Sequence, residues 1–309
     1  MTLHNTSSVK TRNQQDIATY ILHRHENLLL DTVTDESLAL KISDNDPLNR
    51  HFFKTTYHDN TPQILSTISM EILALAGIVS SGKTPAGKMV VFAGILNVLL
   101  HAPLPFNQSI TGRVRKISDK GGFIKYAGEL SSNETLLASG EMLAFIADEN
   151  ATNTAPKPIE NCPDIHEGTP VEKDPRHKHP DLYMIDHYIS GNQNSCLTRY
   201  TYPNTHPLTR GHFPQNPIMM GVLQWASVED ACREYAARYY PNQSITLSGN
   251  AIIFKSDATL VAEVKQFEVS ILGETSHVAF ITKTKRISYR QMIRPNDTIF
   301  TYLTELTAV

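Results

Sequence analysis

The chain has 309 residues, a formal net charge of −3 and an isoelectric point near 6.5, and is long enough for two domains that each bury a core. That balance gives no positive field of the kind that binds nucleic acid or an anionic membrane, so the expected partner is a small molecule or another protein. Cys162, Cys196 and Cys232 are odd in number, widely spaced and without a C-x-x-C pair, and the polar N-terminus lacks the apolar core of a signal peptide; together these predict a reduced cytoplasmic protein.

In chain order, residues 1–16 read as a disordered tail. Ile17 begins a short amphipathic piece, IATYILHRHENLLLDTV, that runs through Leu28–Leu30 to Asp31. SLALKIS at 37–43 alternates like a strand, and a loop rich in Asp, Asn, Pro and His follows up to Pro62. From Gln63 to Val79, QILSTISMEILALAGIV places apolar residues at helical spacing and predicts a buried helix with one ionisable group, Glu71. The Ser, Gly and Pro of residues 80–87 end it. Strands are predicted over Met89–Leu100, Ser109–Ile117, Gly122–Glu129 and Leu136–Ile146. A central helix followed by an antiparallel meander is an α+β pattern.

Residues 150–176 form a polar, Pro-rich linker. The same order of elements then returns: HKHPDLYMIDHYI at 177–189, a strand in CLTRYTY, a turn, an apolar helix from Gly221 to about Tyr239, and strands. An offset of 155 residues pairs Asp31 with Asp186, Pro62 with Pro217, and Glu71 with Ala226, which marks an internal duplication into domains 17–149 and 177–309. Further on, NETLLASGEML answers NDTIFTYLTEL at an offset of 163, so the second copy carries extra residues between Ser256 and Pro295. Its turn, GHFPQNPIMMGVL, sets His212 in a proline-pinned loop just before the glycine that opens the helix. An imidazole beside the free N–H groups of a helix start is suited to hold and polarise a carbonyl.

The segments HRHENLLLDTV, GHFPQNPIMMGVLQ, SMEILALAGIV and GGFIKYAGE, with the closing strand after Asn133, resemble the β-hydroxyacyl-acyl-carrier-protein dehydratases of the hotdog fold. The resemblance covers nearly the whole chain as two tandem copies. It implies an α+β double hotdog, each copy a central helix wrapped by a curved antiparallel sheet. It also implies a site at the interface of two hotdogs, where a His of the HFP turn in one faces a Glu on the helix of the other. Within a copy the acid stands fourteen positions after the His. That position is Ala226 in copy two, whereas copy one has its acid, Glu71, but Tyr57 at the His position. The losses are complementary: His212 with Glu71 makes one complete site, and Tyr57 with Ala226 makes a degenerate one. His58 and His51 lie near the missing histidine, but without an acid at 226 neither completes a site, and Glu229 lies on another side of the helix.

By the same resemblance, His212 takes the α-proton of a 3-hydroxyacyl thioester and Glu71, its pKa raised by burial, protonates the departing hydroxyl. Gly221 offers its N–H to the thioester carbonyl, and Phe213, Pro217 and Met220 complete the substrate contacts. Met219, Leu223 and Leu75 are expected along the acyl tunnel. No metal or redox cofactor is required. The substrate rides on the phosphopantetheine of an acyl carrier protein, in fatty-acid or polyketide-type biosynthesis, and a second copy of the chain is a further candidate partner. Arg210 and Lys178 read either as docking points for an acidic carrier or as surface charge, His177 and His179 as solvated linker residues, and Asp31 and Asp186 as backbone-bonding groups. Two rival readings are a non-catalytic acyl-carrier-binding partner and a hotdog thioesterase.

Overall fold

Two helices lie on one long antiparallel sheet. The computed structural model describes residues 10–57, 61–148, 157–160, 162–273 and 278–309. In the N-terminal half the strands are β1 (Arg12–Asn13), β2 (Thr32–Val33), β3 (Ser37–Lys41), β4 (Lys88–Leu100), β5 (Ser109–Lys120), β6 (Phe123–Ser132) and β7 (Thr135–Asp148). The helices are α1 (Gln14–Ile17), α2 (Ser69–Ser81) and, in the C-terminal half, α3 (Gly221–Tyr239). That half adds β8 (Thr169–Pro170), β9 (His187–Asn192), β10 (Ser195–Thr201), β11 (Ile245–Lys255), β12 (Leu260–Leu272), β13 (Val278–Tyr289) and β14 (Thr298–Ala308). The spatial order is β1-β2-β3-β5-β6-β7-β4-β13-β12-β11-β14-β10-β9-β8. The halves join where β4 pairs β13, from Leu99 opposite Lys283 to Gly94 opposite Ser288.

The two half-sheets differ in strand order, where the repeat predicts two like copies. In the N-terminal half the crossover is the 101–108 connection between β4 and β5, and Asn133 and Glu134, both at positive φ, close a tight hairpin between β6 and β7. In the C-terminal half the 256–259 turn, with Ala258 at φ 62°, makes β11 and β12 a hairpin instead. The crossover moves to Arg290–Asp297, between β13 and β14. The long connection thus moves from the first position after the leading strand, 101–108, to the last, 290–297, and the net extra length of the C-terminal half falls in its two later connections and their strands. Short connections force neighbours to pair, and only a long one lets the chain skip across the sheet.

Every residue of α2 from Ser69 to Val79 is buried against β5, β6 and β7. A helix apolar on all sides belongs in a core, and each fully buried aliphatic side chain contributes about 1.5–3 kcal/mol. Helix α3 packs on β10, β12, β13 and β14, with Trp225 fully buried and its Nε1–H donating to Thr284 Oγ1 at 3.1 Å.

Three expectations need correction. The tail is ordered from Arg12: β1 pairs β2, Asn13 and Asp16 form a capping box at α1, and Arg12 lies 3.0 Å from Asp35. The first helix begins at Ser69, not Gln63, because Pro62–Ile64 pairs with Lys54–Thr56 and Leu104–Pro105 in a small second sheet and a 3-10 turn over Ser66–Ile68 follows. The linker packs where it is described, since β8 pairs β9 and Pro158 bridges Thr259. The three cysteines are unpaired. Among the described residues no helix is long and apolar enough to cross a membrane.

Candidate active site

The segment after α1 brings the two halves together around His212. Arg24 N–H donates to the Gly211 carbonyl at 3.1 Å, Asn27 Nδ2 donates to Leu208 O at 3.3 Å, and Arg210 is held by Glu26, Nη2 to Oε2 at 2.6 Å. A side chain at Gly211 would strike the Arg24 carbonyl and the Asn27 amide, so the close approach requires glycine. The turn then closes on itself: Ile218 N–H donates to His212 O at 2.9 Å, and His212 Nδ1 lies 3.0 Å from the Ile218 carbonyl. A carbonyl only accepts, so Nδ1 carries the proton and Nε2 is left with its lone pair. Phe213 stacks on the imidazole at 4.4 Å, and Met219 N–H donates to Ile293 O at 2.8 Å, tying the turn to the crossover loop.

Glu71 sits in the first turn of α2, in the other half, and is 3% exposed. His23, from the connection between α1 and β2, completes the group. Its Nε2 is 3.2 Å from Glu71 Oε1, close enough for an ion pair but without hydrogen-bond geometry, and its ring meets His212 edge-on at 4.9 Å. One donor atom from each of His23, Glu71 and His212 falls within 4.8 Å of the others. Burial pushes Glu71 up to about 7, against the opposing pull of His212. Burial lowers His212 to about 4, with His23 acting in the same direction and Glu71 against it, and lowers His23 to about 3.

These residues close the inner end of a cavity of about 470 Å³. Its walls are mainly apolar, among them Ala74, Ile78, Phe92, Leu143 and Met219. The exposed Arg286 and Arg290 stand on its rim. Gly221 lines it too, at the start of α3, where no side chain caps the first N–H groups. A Cβ at Gly221 would lie 3.0 Å from the Tyr289 ring, whose hydroxyl donates to Gly221 O at 2.8 Å, so the ring as well as any ligand keeps this position bare.

Of the sequence-predicted residues, His212, Glu71, Gly221 and Met219 meet at the cavity. Phe213 packs behind His212 in a small cluster with Met89, Ala147 and Ile218; Pro217 is half-buried in the turn; Met220, Leu223 and Leu75 are core residues. None of these five lines the cavity. His23, Gln224 and Tyr289 line it without having been singled out. For His23 the sequence carried a weaker signal: the HRH of residues 23–25 returns as HKH at 177–179, in the segment that precedes β2 in one copy and β9 in the other.

The opposite centre is closed. Ala226 is in the core, and Tyr57 is buried with its hydroxyl accepting from Ser66 N–H at 3.2 Å. Burial, and then Glu229, hold that phenol well above its ordinary value. Lys178, neither surface charge nor solvated, is buried and donates to Asp230 Oδ1 at 2.6 Å, while Asp230 Oδ2 accepts from Met184 N–H. Glu229 Oε2 accepts from Ile281 N–H at 3.0 Å. About 20 Å³ of space remains there. His51 is exposed and lines neither centre, and His58 lies outside the described residues. Asp31 accepts from Lys41 N–H and Asp186 from Thr201 N–H, each pinning its hairpin.

No family model matches the chain. A 3-hydroxyacyl-[acyl-carrier-protein] dehydratase FabZ of Thiobacillus denitrificans is 25% identical over 142 residues, which are 44% of this chain and 97% of that protein. The chain is related to the hotdog-fold dehydratases. Among solved structures, an inactive mutant of the CurK dehydratase aligns with a TM-score of 0.43 at 11% identity, over 88% of this chain and 92% of that one. A putative thioesterase from Novosphingobium aromaticivorans aligns with a TM-score of 0.42 at 10% identity, over 87% of this chain and 95% of that one.

Proposed function

We propose that the chain is a tandem hotdog enzyme that dehydrates a 3-hydroxyacyl thioester to the trans-2-enoyl thioester at one centre, built from His212 of the second copy and Glu71 of the first. The observation that carries this reading is that His212 and Glu71, from opposite halves, hold donor atoms within 4.8 Å of one another at the inner end of an apolar cavity.

With the thioester carbonyl on Gly221 N–H, His212 Nε2 removes the α-proton and Glu71 gives its carboxyl proton to the β-hydroxyl. The C–O bond breaks and water leaves. Burial supports both starting states, keeping His212 neutral and a proton on Glu71 below about pH 7. As the reaction proceeds, the pair becomes imidazolium and carboxylate, and their attraction in a low-dielectric pocket offsets the cost of forming charge there. The acyl chain occupies the apolar length of the cavity. Arg286 at the rim, whose Nε donates to Ser288 Oγ, suits the phosphate of a phosphopantetheine arm, whereas Arg290, Arg210 and Lys178 are paired with Glu263, Glu26 and Asp230. The partner is then an acyl carrier protein, the setting fatty-acid or polyketide-type synthesis in the cytoplasm, and a second copy of the chain a possible companion.

The test is intact-mass measurement of a 3-hydroxyacyl-loaded acyl carrier protein after incubation with the full chain. Loss of one water by wild type and Tyr57→Phe, and none by Glu71→Ala or His212→Ala, is expected. Full activity in Glu71→Ala refutes the single-centre reading. Release of free carrier thiol assigns thioesterase chemistry instead, and turnover that begins only on adding an active dehydratase assigns a non-catalytic partner.

A further inference from the structure

The dehydratase reading leaves one feature of the cavity end unexplained. Both ring nitrogens of His23 and Oε2 of Glu71 are buried and make no hydrogen bond, although buried polar atoms are nearly always satisfied. Among the described residues no lysine or arginine pairs with Glu71. The closed centre in the other half differs on this point, since the buried Lys178 ammonium sits on Asp230 there. The open centre thus has a buried carboxyl group and two imidazoles, with no lysine or arginine paired to the carboxyl among the described residues.

We propose that His23, Glu71 and His212 form a binding site for a divalent transition-metal ion of the zinc class, and that occupancy switches the enzyme off. Two imidazoles and a carboxylate, with a fourth position left open, are a donor set that Zn²⁺ accepts. Magnesium and calcium need six or more oxygens, which this pocket does not offer. His212 already has the bond that usually orients a metal-binding histidine, its Nδ1–H on the Ile218 carbonyl with Nε2 free. His23 and Glu71 are at 3.2 Å, close to the roughly 3.4 Å separation that ligands at about 2.1 Å impose in a tetrahedron. The widest pair, within 4.8 Å, must close by at most about 1.4 Å, a distance that rotation of the Glu71 carboxylate and a small ring movement supply. The fourth position faces the cavity.

The inhibitory part rests on the dehydratase reading. The ion takes the Nε2 lone pair that would accept the α-proton, and it displaces to solvent the carboxyl proton that would reach the hydroxyl. Metal and reaction compete for the same atoms.

The experiment uses the full chain stripped with a chelator and then titrated with Co²⁺, whose visible absorption reports four-coordinate binding, followed by Zn²⁺ in competition. One Co²⁺ per chain, displaced by Zn²⁺, is expected for wild type and for Tyr57→Phe, and none for His23→Ala, His23→Gln or Glu71→Gln. A thermal melt with and without Zn²⁺ serves as the fold control: wild type melts higher with the ion, and folded variants do not shift. Dehydration should fall with the occupied fraction and return on adding chelator. No cobalt absorption and no Zn²⁺-dependent stabilisation in wild type overturns the proposal, as does undiminished binding by folded His23→Ala. Cobalt binding by a metal-free chain that never dehydrates refutes the function and leaves the metal site standing; dehydration without cobalt binding does the reverse.

Discussion

Replacing Glu71 with glutamine should stabilise the protein and disable it at once, and the size of the gain follows from where the carboxyl sits. In the unfolded chain the group titrates near 4.5, and in the folded chain burial holds it at about 7. Between these values the native state keeps a proton that the unfolded state has released, so stability is lost as pH rises through that window and is level again above it. At 1.36 kcal/mol per pH unit the full swing is roughly 3 kcal/mol, an upper figure because water in the cavity screens the charge. Glutamine keeps the shape and removes the titration.

The wild-type curve alone would hide this. His212 and His23, held at about 4 and about 3, stay neutral in the fold while the unfolded chain protonates near 6.5, so they cost stability as pH falls. Glu229, also pushed up to about 7 by burial, repeats the Glu71 trend. Subtracting the Glu71→Gln curve from the wild-type curve cancels the Glu229 share and most of the histidine share. The measurement is urea unfolding of both proteins, with chelator present, from about pH 5 to about pH 8. The variant should gain on wild type from about pH 5 to about pH 7 and hold that gain at about pH 8, while its dehydration rate falls by about 10²–10⁴-fold. A flat difference curve would mean that Glu71 titrates like a solvated carboxylate, with no proton at neutral pH for the leaving hydroxyl, and the proposed acid would be lost.

Lys178→Met should leave Asp230 buried without its cation and cost about 3–5 kcal/mol in urea unfolding, while kcat/KM of the folded fraction stays at wild type; a large fall in kcat/KM would show that the closed centre takes part in the reaction. Gly221→Ala sets a methyl 3.0 Å from the Tyr289 ring at the N–H proposed to bind the substrate carbonyl, so kcat/KM should drop about tenfold with an overpacking cost of about 1–3 kcal/mol in the melt. Unchanged kinetics in that variant would place the substrate carbonyl elsewhere.

Much of this arrangement was legible in the sequence, for identifiable reasons. Helix α3 begins at Gly221 as expected, because the chain from Pro217 to Met220 stays outside helical geometry and the apolar run behind it is long. The start of α2 was misplaced because periodicity cannot separate a short buried strand and turn from helix when every residue is apolar, and Pro62–Ile64 has partners far away at Lys54–Thr56 and Leu104–Pro105. The proximity of His212 and Glu71 was readable because the resemblance named the two positions and the register of the repeat showed which copy kept each. Phe213, Pro217 and Met220 were assigned to the substrate contacts as members of the motif that carries the resemblance, yet a turn points consecutive side chains in different directions. Phe213 went behind the imidazole and Met220 into the core.

Strand order was not legible, and it bears on why space remains at one end of the interface and not at the other. The edge strand that meets the opposite half is β4, the first strand after its helix, in one copy, and β13, the third after its helix, in the other. The seam therefore does not pair equivalent strands, and the two ends of the interface have different neighbours. At the open end, β4, β7 and the crossover Arg290–Asp297 frame the cavity, and the crossover holds Met219 through the Ile293 carbonyl. At the closed end the strand β13 comes in against Tyr57 through Phe280, and Ile281 N–H takes the Glu229 carboxylate. With the wall already filled there, a histidine or acid at positions 57 and 226 would have had no ligand space to serve. Tyrosine, alanine and the Lys178–Asp230 pair are the residues a solid core accepts in that place.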